Sequence, residues 1–290
     1  MTCFEVTDAS NVDQVQKALK SSLSSKLSGY STFFAGIVAQ ACSRSLPAEK
    51  NTFDIDHIRV VKILGGALED SYSLQGMVIS RGTEGTISRV SQPKIAVYGI
   101  PLDPQSCETK ATVLIKNADE LLNYTRSEEE HAEKIVKKIA EAGATCIIVG
   151  GTISELMLHY IEKYKMMVVK LTSKFELKRV CKAINANAVT RLDAPLPEEI
   201  GYCDEIYVKE IGSHKVVVIK KETSECRLNT IVLRGSTNNL LDDVERAIDD
   251  GVNVFKCLIK DGRFVPGAGS AETILSYKLQ QEAKALDDLS

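Results

Sequence analysis

No stretch of the 290 residues approaches the roughly 18 consecutive apolar side chains that a membrane-spanning helix needs. The first residues (MTCFEVTDASNVDQVQK) lack the basic-then-apolar pattern of a signal peptide. Basic surplus is missing too: 36 Lys+Arg face 39 Asp+Glu, a formal net charge of -3. That removes the electrostatic footprint of a nucleic-acid or anionic-membrane binder. Neither nucleic acid nor a membrane is an expected partner, and the expected location is cytoplasmic. The eight cysteines (Cys3, Cys42, Cys107, Cys146, Cys181, Cys203, Cys226, Cys257) form no C-x-x-C pair and have no histidine at ligand spacing. No metal site is expected, and the thiols read as reduced small hydrophobes. Phosphate-binding loops of the G-x-x-x-x-G-K-[ST] type and G-x-G-x-x-G turns after a strand are both missing.

What is present is ordinary globular composition, 44% hydrophobic and 26% charged, long enough at about 150 residues per domain for about two domains. The first fifty residues read as helical: Val15, Leu19 and Leu23, then Phe33, Ile37 and Ala41, recur at spacings of four. Residues 58–64 (IRVVKIL), 77–80 and 95–98 (IAVY) read as strands. Strand then alternates with helix to about residue 190. A helix capped at Ser127, with Glu130 completing a capping box, precedes strand 146–149, helix 154–164, strand 166–170 and helix 175–184. Such alternation builds a parallel sheet through right-handed crossovers. Strands at 205–208, 215–220 and 229–233 follow, then a long amphipathic helix capped at Thr237, with Leu240, Val244, Ala247 and Ile248 on its buried side. Helical ends around an α/β middle imply one domain inserted into another.

Four features bear on chemistry. Gly150-Gly151 lies between strand and helix, where backbone N–H groups can hold an anion, although a plain turn explains it too. Gly267-Ala268-Gly269 precedes a helix, where glycines let a backbone approach a phosphate; a flexible domain junction explains it equally well. Asp249-Asp250 sits deep in the long helix, where an acidic pair is ordinarily a solvated face. On helix 173–184 the core stripe of Leu177, Val180, Cys181 and Ile184 leaves Lys174, Lys178, Arg179 and Lys182 outward beside Phe175. That cationic, aromatic-bearing face suits acidic or polar peptide. Asp119, Glu120, Glu128, Glu129, Glu130 and Glu133 reverse the charge balance in the other half of the middle region.

In order along the chain stand Leu23-Ser24-Ser25-Lys26, Val61-Lys62-Ile63-Leu64-Gly65-Gly66, Gly76-Met77-Val78, Pro93 to Tyr98 (PKIAVY), Ile231-Val232-Leu233-Arg234-Gly235, Asp243-Val244-Glu245-Arg246-Ala247 and Val265-Pro266-Gly267-Ala268-Gly269. Together they resemble the landmarks of group II chaperonins, in particular the eukaryotic cytosolic branch of that family (CCT, or TRiC). The resemblance implies a mixed α/β and α+β fold. An apical α/β domain at 72–228 would be inserted into a discontinuous intermediate hinge domain at 1–71 and 229–266, residues 1–10 being possible equatorial residue. Only a remnant of the helical equatorial domain, 267–290, would follow.

It further implies an ATP-dependent folding machine, a hetero-oligomeric double ring whose chaperonin subunits close over unfolded client proteins, with ATP and Mg2+ as cofactors. The family's Asp-Gly-Thr-Thr run does not occur in these residues, so most of the nucleotide pocket is expected to lie outside them and the chain alone to be inactive. By resemblance Asp250 is the catalytic carboxylate that orients the attacking water, with Asp249 the weaker candidate, and Lys26 senses the γ-phosphate. Gly267 and Gly269 pack against nucleotide, with Ala268 departing from the usual triple glycine. Lys174, Phe175, Lys178, Arg179 and Lys182, with the loop 100–110, form the client groove, and 117–134 the lid protrusion. Two other readings stand beside this one: a stand-alone, non-catalytic peptide-binding module, and an unrelated α/β enzyme using Gly150-Gly151 as an anion site.

Overall fold

A computed structural model describes residues 4–6, 8–47, 53–103, 118–212, 214–222 and 227–286, with backbone alone at residue 4 and at 118–128. In chain order the elements are β1 (Phe4–Glu5), α1 (Val12–Ser24), α2 (Ser31–Ser45), β2 (Ile58–Leu64), β3 (Tyr72–Ile79), β4 (Arg89–Ser91), β5 (Lys94–Tyr98), α3 (Ala118–Glu141), β6 (Cys146–Val149), α4 (Glu155–Lys163), β7 (Met167–Lys170) and α5 (Lys174–Ile184). After these come β8 (Gly201–Tyr202), β9 (Glu205–Ile211), β10 (His214–Lys220), β11 (Asn229–Gly235), α6 (Asn238–Lys260), β12 (Arg263–Phe264) and α7 (Ser270–Leu286). Two compact units result. One combines residues 1–55 with 246–290, and the other is the continuous segment 56–245.

The continuous unit holds two sheets among the described residues. In the four-stranded one, β7-β6-β5-β8, the first three strands are parallel and β8 joins antiparallel. Its strands bury both faces, as parallel strands sandwiched between layers do. Ile95, Val97, Cys146 and Ile148 face one core; Ala96, Tyr98, Ile147 and Val149 face the other. The second core is closed by Ala132, Ile135, Val136 and Ile139 of α3 and by Met157 and Ile161 of α4. The first is closed by Leu177, Val180, Ala183 and Ile184 of α5, and by Met77, Ile79, Ile206, Val217 and Ile219 from the other sheet. That sheet has the order β2-β11-β3-β10-β9-β4. β11 pairs parallel with β2 (Asn229 opposite Ile58) and antiparallel with β3. Arg234 secures the turn after β2, its Nε donating to the Gly65 carbonyl at 2.6 Å.

The discontinuous unit is built on α1, α2 and the later part of α6. Asn11 caps α1, its Oδ1 accepting from the Asp13 and Gln14 N–H groups at 3.1 and 3.4 Å. The core comprises Val15, Leu19 and Leu23 of α1, Phe34, Ala35 and Val38 of α2, and Val252 and Phe255 of α6. The first and last parts of this unit are tied by β1 pairing with β12 and by Val6 N–H donating to the Gly262 carbonyl at 2.9 Å.

Several details depart from the sequence reading. The buried face of α2 runs through Phe34, Ala35, Val38, Ala41 and Cys42, while Phe33 is exposed and Ile37 half-buried. A spacing of four alone drifts off a 3.6-residue turn, and the face that packs is the one rich in small residues. Ser127 is no cap: α3 runs unbroken from Ala118, because the run before Ser127 (ADELLNYTR) contains neither Gly nor Pro. On α6 Leu241 is buried and Leu240 only partly so, while on α5 Ala183 takes a core place that Cys181 only half fills. β4 and β8, of three and two residues, lack the β-branched runs that mark the other strands.

Gly251 lies inside α6, and a methyl group there would sit 3.5 Å from Leu23 and 3.6 Å from Val38, ordinary contact distances. Gly251→Ala is therefore expected to stabilise the unit by about 0.5–1 kcal/mol through reduced backbone entropy. A urea-unfolding midpoint unchanged or lowered would contradict this.

Candidate functional site

Within the discontinuous unit, α1 ends at Ser24 and the chain turns, with the Lys26 N–H donating to the Leu23 carbonyl at 3.2 Å. This turn presents Lys26 to α6, where its Nζ lies 2.5 Å from Asp250 Oδ2. The two side chains are 42% and 45% exposed, so the pair is worth at most about 1 kcal/mol and opens at little cost. The two residues that the family resemblance singles out, one in a turn and one on a helix, are thus in direct contact. Asp249 is the more exposed neighbour, and its carbonyl accepts from Asn253 Nδ2 at 2.9 Å.

The turn at 267–269 has a defined geometry. Ala268 has φ of 56° and Gly269 of 77°, both left-handed, and Ser270 Oγ and Thr273 Oγ1 donate to the Gly267 and Gly269 carbonyls at 2.7 and 2.8 Å. The middle residue of the turn therefore does adopt the conformation that favours glycine, at a strain of roughly 1 kcal/mol for alanine. Nothing among the described residues lies within 4 Å of a Cβ built at Gly267 or Gly269, so their own surroundings do not demand glycine at Gly267. Neither Lys26 nor Asp250 bonds to this turn.

For the implied nucleotide these residues fit one end only: an ammonium–carboxylate pair suits a terminal phosphate and its water, and an uncrowded glycine turn suits close approach. No group of three metal-ligating residues exists among the described residues, and Mg2+ is commonly held by one or two carboxylates plus phosphate oxygens.

In the continuous unit, Ser173 caps α5, its Oγ accepting from the Glu176 N–H at 3.4 Å, and Asn185 ends it in the left-handed conformation. Lys174, Lys178 and Lys182 are exposed, Arg179 is half-buried and Phe175 is 72% exposed. α5 forms a ridge between two hollows. One, of about 150 Å³, is lined by Asp56, His57, Phe175, Lys178, Arg179, Lys182 and Leu228. The other, of about 600 Å³, is lined by Leu177, Lys178, Cys181, Lys182 and residues 185–188. Most of the loop 100–110 lies outside the described residues, as does residue 117. Of the expected acidic set, Asp119, Glu120 and Glu128 have no described side chains, whereas Glu133 pairs with Lys163 at 2.7 Å. Gly150-Gly151 has a packing explanation: a Cβ at Gly151 would stand 3.0 Å from the Pro101 backbone, and one at Gly150 3.3 Å from Leu177.

Sequence reasoning missed an ion cluster in the same unit. Lys62 Nζ lies 2.6 Å from Asp242 and 2.7 Å from Glu245, across 180 residues of sequence in the first case. The Asp242 carboxylate, with Glu245 beside it, holds the Lys62 ammonium above the ordinary lysine range. A raised lysine stabilises the fold at all pH values below that range and loses its contribution as pH climbs through the folded-state value.

The chain belongs to the TCP-1/cpn60 chaperonin family, whose match spans residues 1–290. It is 48% identical to T-complex protein 1 subunit theta of Dictyostelium discoideum over 290 residues, all of this chain and 54% of that one. To the theta subunit of Homo sapiens it is 45% identical over 279 residues, 96% of this chain and 51% of that one. Against the Arabidopsis thaliana theta subunit the figures are 42% over 284 residues, 98% and 52%. The chain thus spans about half the length of the curated relatives it matches. The fold is shared with an open-state monomer of a group II chaperonin from Methanococcoides burtonii, with TM-score 0.74, 22% identity, and coverage of 98% of this chain and 65% of that one. Among the described residues no helix is long and apolar enough to cross a membrane.

Lys62→Met is expected to cost no more than about 1 kcal/mol at low salt, since all three side chains are partly exposed. It is also expected to flatten the dependence of stability on ionic strength, because screening weakens an attractive cluster. Melting curves at 0.02 and 0.5 M salt with equal slopes for both proteins would show that the cluster contributes nothing.

Proposed function

We propose that this chain is the client-gripping and hinge portion of an ATP-dependent cytosolic chaperonin subunit, working in a hetero-oligomeric double ring. Residues 72–228 are its apical part, 1–71 with 229–266 its intermediate part, and 267–290 an equatorial remnant. The observation that carries this reading is the contact between Lys26 and Asp250. A solvent-accessible carboxylate on a rigid helix can accept a hydrogen bond from water and take up its proton. The ammonium beside it is the charge that a terminal phosphate would draw away. Because the pair is weak, such an exchange costs little. ATP supplies the phosphoryl group and Mg2+ the charge neutralisation when bound, and the residues of this chain orient water and sense the anion.

Client binding is assigned to the α5 surface: Lys174, Phe175, Lys178, Arg179 and Lys182 offer four cations and one exposed ring to acidic or polar segments of unfolded protein. A stand-alone peptide-binding module without catalysis is the second reading, supported by the missing Asp-Gly-Thr-Thr run.

In the complete subunit assembled in its ring, Asp250→Asn is expected to lower that subunit's hydrolysis at least about 100-fold, the usual contribution of a positioned base, while nucleotide binding persists. Unaltered hydrolysis in a single-turnover assay would remove Asp250 from the chemistry. Turnover by the 290-residue chain without other subunits would overturn the account of where the rest of the pocket lies. Reversing Lys174, Lys178 and Lys182 together to Glu is expected to reduce crosslinking of an unfolded client severalfold, and undiminished crosslinking would refute the assignment of α5.

A further inference from the structure

The smaller hollow beside α5 is not simply part of a solvated helix face. Phe175, Lys178, Arg179 and Lys182 follow the i, i+3, i+4, i+7 spacing that places four side chains along one side of a helix. Opposite them, residues 56 and 57, just ahead of β2, contribute an acid and an imidazole, and Leu228, just ahead of β11, closes the floor. Three cations and one carboxylate thus share a cavity of about 150 Å³. That is well below the roughly 300–1,000 Å³ of a pocket for a whole small molecule, and it suits a single functional group.

The surplus of positive charge selects an anion, and Arg179 brings the planar fork that matches a carboxylate with two parallel hydrogen bonds. The walls are more apolar than polar, with the Phe175 ring at the rim. An anion carried next to an apolar side chain is therefore favoured over a free inorganic ion, which would leave those walls unused.

We propose that this cavity is a carboxylate anchor for acidic peptide segments. Arg179 and Lys182 hold a Glu or Asp side chain, Phe175 and Leu228 receive the apolar residue next to it, and Asp56 tunes affinity by competing for the same cations. The proposal rests on the assignment of α5 as a client surface and narrows it to a substrate class and a geometry. Lys174 stands outside the cavity and Arg179 inside it, although both carry the same charge on the same helix. A diffuse electrostatic surface would treat the two alike; an anchor would not.

The test uses the 290-residue chain and two fluorescent peptides, one alternating Glu with Leu and one with Gln in place of each Glu, read by anisotropy. The Glu peptide should bind about tenfold more tightly, and Arg179→Gln should weaken it about five- to tenfold, since Gln keeps one neutral donor in place of the charged fork. Arg179→Lys should restore part of that loss. Lys174→Gln, on the same client surface but outside the cavity, should weaken binding only about twofold, since a screened charge there contributes little, and Asp56→Asn should tighten binding about threefold. Coincident thermal melts establish that the variants are folded. Equal weakening by Lys174→Gln and Arg179→Gln, with Asp56→Asn silent, would overturn the anchor and leave the client surface standing. Indifference of the peptide to every α5 cation would remove both. Displacement by millimolar inorganic phosphate, without preference for Glu over Gln, would assign the cavity to free phosphate and overturn the proposal.

Discussion

The parallel pairing of β11 with β2 is the constraint on which the continuous unit depends. Seven residues of each strand are in register, from Asn229 opposite Ile58 to Gly235 opposite Leu64, so two pieces of chain remote in sequence are fixed side by side. Everything between them, from the turn at Gly65 to the end of β10, leaves and returns through that pair. Parallel neighbours cannot be joined by a hairpin, and the long excursion supplies the crossover that such a pairing requires. Hydrophobic burial holds it: Ile231, Val232 and Leu233 are wholly inaccessible to solvent. α6 begins three residues beyond the end of β11.

α6 carries acids that are paired within each unit separately. Its early acids, Asp242 and Glu245, meet Lys62 of β2, while Asp250, further along the same helix, meets Lys26 in the other unit's own fold. A one-residue slip of β11 against β2 would rotate every side chain of a strand to the opposite face. Burial rather than the ion pairs fixes the geometry. Each pair is partly exposed and individually worth little, but the apolar stripe of Leu241, Val244, Ala247, Ile248, Val252 and Phe255 cannot be rotated into water without losing several fully buried side chains.

Much of this was legible from periodicity. The strands of the middle region announced themselves through β-branched runs, and the helices through amphipathic spacing. The inserted organisation followed from helical ends around an α/β centre. The failures have local physical causes. On α2 the apolar residues outnumber one face, so spacing alone could not choose between Phe33 and Phe34, and packing against α1 decided it. β4 and β8 are too short and too polar to register as strands, and they exist because β9 and β5 offer them an edge. At Ser127 a good capping pattern lost to an uninterrupted helical sequence before it.

The site residues divide differently. Lys26, Asp250 and the 267–269 turn were selected by resemblance to a family, since an acidic pair in a helix and a lone lysine in a turn carry no signal of their own. The Lys62 cluster and the Asp56–His57 wall went unseen because they are properties of sheet register and not of local sequence. Any pairing across β2 and β11, or between α5 and the chain ahead of β2, needs a fold before it can be named. Ala268 shows the same dependence in reverse. Its departure from glycine was visible at once, but its significance turned on a dihedral angle: a left-handed alanine holds the turn in the shape a glycine would take, at a modest local cost and without reshaping it. A Cβ at Gly267 would meet nothing among the described residues within 4 Å, so packing among them does not require glycine there.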